Sequence, residues 1–327
     1  MKFLLFLFYL LLPLRIIYAT DYGTVFMYHR FEESNHPSTN ISEEVFRKHL
    51  SYLKENNFNV LPVSRLIDFF NGTSSLPEKS VFITIDDGYR SFYNIALPIL
   101  LEFEFPFSIF ISTDYVSDDP KSNFMSWDML REIKNYGGSI YNHVSDHSNL
   151  NNLSKDEIVL KIKEAEEAMK KNLGLNSLIF SYPYGTSNIQ NENIVKDLGF
   201  KLAFGQQSSH IFKNENIFRL PRFSFNEEFG DIERFKMIAN SQPLKVFDIT
   251  PKNTRFEKNN FRLGFSTNEN IKNINCYSGG LSLTLTKISP SRIEIKFNEG
   301  PKKGINRINC TSQRDEKLLW YGRILIN

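Results

Sequence analysis

An α/β fold is what this sequence predicts: a parallel sheet or barrel with helices outside it, followed by a small antiparallel β module. Three observations carry that expectation. Apolar strand-like runs alternate with helical spacings through the first two-thirds of the chain. Polar residues fall where three of those runs end, at Tyr28-His29, Asp86-Asp87 and Tyr182-Pro183-Tyr184. Parallel α/β folds place their chemistry at such C-terminal strand ends. From Pro251 on, helical periodicity gives way to short alternating runs between Ser, Gly, Pro and Asn turns.

The chain has 327 residues, 41% of them hydrophobic and 14% aromatic, enough for a substantial core in one large domain or a large and a small one. Residues 1–19 stand apart. Lys2 precedes a run, 3–14, that is apolar except for Tyr9, and Ile17-Tyr18-Ala19 offers a small residue for cleavage. This reads as a secretory signal peptide, because the run is short for a bilayer span; an uncleaved N-terminal anchor is the alternative. No later stretch is apolar enough to cross a membrane, so a periplasmic or extracellular location is expected. Without Lys2 and Arg15, the 39 Lys+Arg fall to 37, against 37 Asp+Glu. That even balance gives no electrostatic case for nucleic acid.

The elements follow in order. Residues 24–28 form a short apolar strand, with a polar loop to about Asn40. Val45, Phe46, Leu50 and Leu53 give 42–56 a helical face, and His49 within it is expected to be structural. Residues 81–85 read as a buried strand bounded by Gly88, and 91–103 as a helix that Pro98 can kink. A strand at 107–112 and a helix at 127–135, stopped by Gly137-Gly138, come next. The clearest helix is 155–173. Ser154 and Glu157 suit a capping box, Ile158, Ile162, Ala165 and Met169 share a face, Lys170-Lys171 complement the dipole, and Gly174 ends it. A strand at 178–182, a helix at 191–198 and a strand at 201–205 complete a unit placed at 20–245. The β-rich module is placed at 250–327, with alternating runs at 281–286, 292–297 and 318–326. Its two cysteines, Cys276 and Cys310, are expected to pair in an exported chain. They would close a loop of roughly 35 residues, worth about 3–4 kcal/mol in the chain-entropy model.

The chemistry lies in Thr84-Ile85-Asp86-Asp87-Gly88 and in His143-Val144-Ser145-Asp146-His147. A buried strand running straight into two carboxylates needs a reason, and at a strand's end both can reach one cavity. His143 and His147 can converge on an ion from one helix face or from a loop. One carboxylate and two imidazoles fit a single divalent metal, zinc or a similar borderline ion, with a position left open for water.

These motifs with Ser181-Tyr182-Pro183-Tyr184-Gly185, in this order and spacing, resemble the NodB-homology polysaccharide deacetylases, carbohydrate esterase family four. Met27-Tyr28-His29-Arg30-Phe31 and Phe124-Met125-Ser126-Trp127 look like the branch that deacetylates poly-N-acetylglucosamine. The likeness covers roughly 22–245. It implies an irregular (β/α) barrel with fewer than eight repeats. It also implies Asp86 as general base; Asp87, His143 and His147 as ligands of zinc, nickel, cobalt or iron; and His29 as general acid. Tyr184 would lend a backbone N–H to the oxyanion hole, and Trp127, Tyr182 and Pro183 would meet substrate. Many members begin the third motif with an arginine that pairs with the catalytic aspartate. Here that position is Ser181, and Arg222 is expected to supply the charge from a neighbouring strand. His36 and His210 are expected at the surface.

The function implied is metal-dependent removal of N-acetyl groups from the amino sugars of a polysaccharide. The alternatives are an amidase on small N-acyl compounds and a non-catalytic glycan-binding protein. The sequence leaves open whether the β module binds glycan or packs on the barrel.

Overall fold

The structure is a computed structural model and describes residues 19–256 and 261–327. Residues 1–18, which carry most of the signal-peptide reading, lie outside the described residues. Six parallel strands form the frame: β1 (Tyr22–Tyr28), β2 (Ser80–Ile85), β3 (Ser108–Ile111), β4 (Ser139–Asn142), β5 (Ile179–Ser181) and β6 (Leu202–Phe204). They lie side by side in chain order. All six residues of β2 are buried, as expected of a strand covered on both faces, and this explains its apolar run.

Residues 220–224 link the two edges of the curled sheet. Leu220 bridges to Phe204 of β6, while Phe223 and Ser224 pair with Phe26 and Met27 of β1. Arg222 sits in the middle of that link. The expected α/β barrel with fewer than eight repeats is therefore the observed architecture.

Helices cover the sheet, each for a local reason. In α1 (Glu43–Glu55), Ser42 accepts from the Val45 N–H, and Phe46, His49, Leu50 and Leu53 are buried. The helix expected at 91–103 is two pieces, a wide π turn at Phe92–Ala96 and an α segment at Leu97–Phe103. Pro98 lies in the first turn of the second piece, where its missing N–H leaves no bond unmade, so it starts a helix rather than kinking one. Trp127–Asn135 and Lys155–Leu173 lie as expected. The Ser154–Glu157 capping box is formed, and Gly174 ends the longer helix at φ +66°. Two helices went unforeseen, Arg65–Asn71 and Ile232–Asn240.

The C-terminal part is a two-sheet β sandwich. One sheet runs in the order Gln242–Pro243, Lys317–Ile326, Ile305–Arg314, Asn275–Tyr277. The other runs Val246–Thr250, Arg262–Thr267, Arg292–Phe297, Leu283–Ser289. Leu263, Phe265, Ile293 and Ile295 pack with Ile308, Leu319, Tyr321 and Leu325 in a shared core. Cys276 and Cys310 are opposite each other on paired strands and joined by a disulfide.

Docking on the barrel is tight. Trp320 belongs to the main barrel core and meets Phe223 edge-on, with ring centroids 5.4 Å apart. Gly322 faces the backbone of Ser208 so closely that a Cβ there would lie 2.1 Å from the Ser208 carbonyl oxygen. No side chain but hydrogen fits that seam.

Two histidines are structural. His49 is fully buried, bonding the Tyr28 hydroxyl at 3.0 Å through Nδ1 and the Gly230 carbonyl at 2.8 Å through Nε2. His210, expected at the surface, is also fully buried, between Thr24 and Ser241 at 2.8 Å each. The strand that follows it, Ile211–Phe212, pairs with β1 and draws it inward. Burial pushes His49 down to about 4 and His210 down to about 3 from an ordinary 6.5. Both folded values lie below the unfolded one, so the unfolded chain binds the extra protons. Stability is complete above pH 6.5 and falls as pH drops towards 4 and then 3. Each histidine contributes a slope of up to about 1.4 kcal/mol per pH unit in that window. In metal-free protein, His210→Gln should therefore flatten denaturant-derived stability between pH 6 and pH 4.5 by about that slope. An unchanged pH dependence would mean that His210 is not held neutral.

Candidate active site

The site forms where β2 ends. Asp86 still belongs to the sheet, its N–H donating to the Tyr28 carbonyl at 3.0 Å, and its side chain is fully buried. The chain then turns through left-handed conformations at Asp87 (φ +74°) and Gly88 (φ +79°). That turn breaks strand alternation and lets consecutive carboxylates share a cavity. Val144 (φ +70°), His147 (φ +55°) and Tyr184 (φ +60°) are left-handed as well. Such strained non-glycine backbone concentrated around one cavity is typical of functional sites.

Asp86 is held by Arg222. The guanidinium spans both carboxylate oxygens at 2.7 Å each and also donates to the Gly205 carbonyl (3.0 Å), the Ser181 hydroxyl (2.8 Å) and the Thr84 hydroxyl (3.3 Å). Both partners are wholly out of solvent, and Arg222 is among the largest fully buried side chains. Burial pushes the Asp86 carboxyl up, but Arg222, with His143 and His29, outweighs it and holds the group below the usual range. Asp86 is therefore favoured in its ionised form, with both oxygens fixed by Arg222. Ser181, where an arginine was missing from the motif, leaves room for the Arg222 fork and accepts from it.

Asp87, His143 and His147 converge. Asp87 Oδ1 lies 3.3 Å from His143 Nε2 and 3.2 Å from His147 Nε2, with all three candidate ligand atoms within 4.8 Å of one another. His143 Nδ1 is 2.8 Å from the Ser181 carbonyl. A carbonyl only accepts, so it fixes the proton on Nδ1 and presents the Nε2 lone pair to the cluster. Asp87 Oδ1 is buried without a hydrogen-bond partner. The His143 lone pair, the His147 Nε2 and a carboxylate oxygen without a conventional hydrogen bond share one space, and one carboxylate with two imidazoles suits a divalent ion of the zinc type. The donor set fits the metal.

His29 completes the cavity. Its Nδ1 is buried without a partner, and burial lowers its pKa against the opposing pull of Asp87 and Asp86. Tyr184 is half-exposed beside His147, with ring centroids 4.8 Å apart. The other expected substrate contacts fall differently. The Tyr182 ring is fully buried with Val144, Ile158 and Phe180, because the last residues of β5 still alternate into the layer beneath the helices. Pro183 is buried too. Trp127 begins its helix and packs, partly buried, on the main core. Sequence reasoning missed the Ser181 carbonyl as the group that orients His143, and a backbone acceptor leaves no signal in side-chain identity.

A carboxylate and two imidazoles that could hold one ion thus stand at the rim of a parallel α/β barrel, with a second, buried carboxylate beside them. Residues 73–203 match the family model described as polysaccharide deacetylase, the family that the sequence motifs resemble. A poly-beta-1,6-N-acetyl-D-glucosamine N-deacetylase of Staphylococcus aureus is 23% identical over 244 residues, covering 66% of this chain and 83% of that protein. Solved structures share the fold. IcaB from Ammonifex degensii is 24% identical with a TM-score of 0.61, covering 68% of this chain and 98% of that one. The Streptococcus pyogenes deacetylase PplD, in complex with acetate, is 21% identical with a TM-score of 0.61, covering 67% and 98%.

Proposed function

We propose that this protein is an exported, metal-dependent deacetylase that removes N-acetyl groups from the amino sugars of a polysaccharide, with β-1,6-linked N-acetylglucosamine polymer the substrate its relatives suggest. The observation that carries the reading is the fully buried Asp86–Arg222 pair set directly beside the Asp87, His143 and His147 cluster.

A divalent ion held by those three residues, zinc in our reading, would polarise the acetyl carbonyl and make water acidic enough to attack at neutral pH. The chain's own groups do the rest. Asp86, ionised and pinned by Arg222, takes the proton from the attacking water, a role typically worth about 10²–10⁴-fold. His29, whose buried Nδ1 has no partner of its own, is assigned to protonate the departing amine. The Tyr184 backbone N–H is assigned to the developing oxyanion. Among the described residues no helix is long and apolar enough to cross a membrane. The leader-like residues 1–19 support export.

The test is acetate release from β-1,6-linked N-acetylglucosamine oligomers. Activity is expected in purified protein, to vanish with a chelator, and to return with a divalent ion. Release that ignores chelation would overturn the metal role, and none from metal-loaded protein would leave a glycan binder.

A further inference from the structure

A large cavity lies elsewhere, in the seam between barrel and sandwich. It encloses about 830 Å³ and shares no residue with the metal cluster. That size is in the range of pockets that enclose drug-sized ligands, roughly 300–1,000 Å³. Three of its lining groups have unmet hydrogen-bonding atoms: the Tyr321 hydroxyl, Arg323 Nε and Gln207 Oε1. These residues are only 4%, 5% and 7% exposed. A packed seam would satisfy such groups, since each one left unmet costs about 1–3 kcal/mol.

The unmet set is mixed. Arg323 Nε can only donate, Gln207 Oε1 can only accept, and the Tyr321 hydroxyl does either. Glu215, also lining the cavity, forms no ion pair among the described residues, and burial pushes its carboxyl up to about 7. Formal charges around the wall nearly cancel: Arg219 is engaged by Glu192, Lys245 by Asp21, and Arg314 by Glu269. An anion site would concentrate cations instead. At the rim, Phe247 and Ile189 are 44% and 41% exposed and offer apolar faces. Donors, acceptors and apolar faces around a near-neutral pocket are what a polyhydroxylated ring with amide or amine substituents matches.

We infer that the barrel–sandwich seam is a second saccharide site, taking one or two amino-sugar units of a glycan through Tyr321, Arg323, Gln207 and Glu215. The choice of amino sugar rests on the proposed function, while the existence of the site does not. Gln207 also connects the two places physically, since its carbonyl accepts the Arg222 N–H at 3.0 Å. A polymer held at the seam would stay tethered while its acetylated units visit the rim.

Tyr321→Phe is the decisive variant. It removes a hydroxyl whose polar neighbour Arg323 keeps its bonds to the Pro251 and Lys252 carbonyls, so the fold should be unharmed and Tm unchanged within a degree or two. Binding would be followed by NMR and calorimetry in full-length Asp86→Asn protein, with N-acetylglucosamine and glucosamine disaccharides as probes. Two classes of site are expected, and Tyr321→Phe should weaken one about tenfold and spare the other. Glu215→Gln should weaken glucosamine more than N-acetylglucosamine. Inorganic phosphate is the control: binding of phosphate but not sugar at this seam would overturn the saccharide assignment. A single sugar site unaffected by Tyr321→Phe would overturn the inference altogether. Acetate release by the wild type is scored separately, so a catalytic protein with no seam site leaves the proposed function standing, and a seam site on a protein that releases no acetate leaves this inference standing.

Discussion

Replacing Arg222 with Met should cost about 3–5 kcal/mol of folding stability and at least about 10²-fold in acetate release. The stability loss comes from what is left behind. Asp86 is wholly buried, and both of its oxygens are bonded to this one guanidinium. Without it a carboxylate sits uncompensated in the barrel, and it regains neutrality only by taking up a proton. A protonated Asp86 cannot accept one from water, so the same substitution removes the base. Lysine would not substitute. The guanidinium reaches both Asp86 oxygens, the Gly205 carbonyl and the Ser181 hydroxyl at once from a planar fork, and a single ammonium lacks that geometry. The double variant Arg222→Met with Asp86→Leu separates the two effects. Replacing both members of a buried ion pair by apolar groups is often neutral or better, so stability should recover while activity stays lost. Chemical denaturation and acetate release on the three proteins decide this. A single Arg222→Met variant with native stability and rate would mean that Asp86 needs no cation.

Much of the barrel could be read from residues because its signals are local. The capping box at Ser154, the stop at Gly174 and the apolar run before Asp86 each depend on neighbours within a few positions. The strands of the sandwich were harder. In Ile305–Arg314 the buried positions Asn306, Ile308, Cys310 and Ser312 include two polar residues, so the inward face carries no clean apolar alternation, and Asn306 finds its partners in the adjoining turn at Lys302 and Gly304. His210 misled for a similar reason: a histidine after two serines and two glutamines looks solvent-facing until the edge strand behind it pairs with β1. At the rim, residue types gave the Asp87, His143 and His147 cluster, which depends on side-chain chemistry. They could not give the inward turn of Tyr182, where a one-residue phase along β5 decides between core and cavity. The docking of the sandwich through Trp320 was hidden as well, because one tryptophan in an alternating strand suits either a glycan platform or a buried seam.

His143→Ala should abolish tight metal uptake and reduce acetate release by at least about 10³-fold, the rate equivalent of the several kcal/mol that a Lewis acid supplies. Wild-type protein should bind one zinc per chain and gain about 2.7 kcal/mol of stability when free zinc is a hundred times its Kd, a shift that the variant should not show. Asp87→Asn gives the sharper comparison. In metal-free protein the Asp87 carboxylate faces imidazole nitrogens at 3.2 and 3.3 Å, and His143 and His147 hold its carboxyl well below the usual range despite its burial. Neutralising it should therefore cost the metal-free protein on the order of 1 kcal/mol, the worth of a lost polar contact. Adding zinc should widen that gap, since the wild type alone can hold the ion with a charged ligand. Thermal melts of both proteins with and without zinc test the widening. A gap that zinc leaves unchanged would mean that the three groups are a structural polar cluster and not a site shaped around a cation.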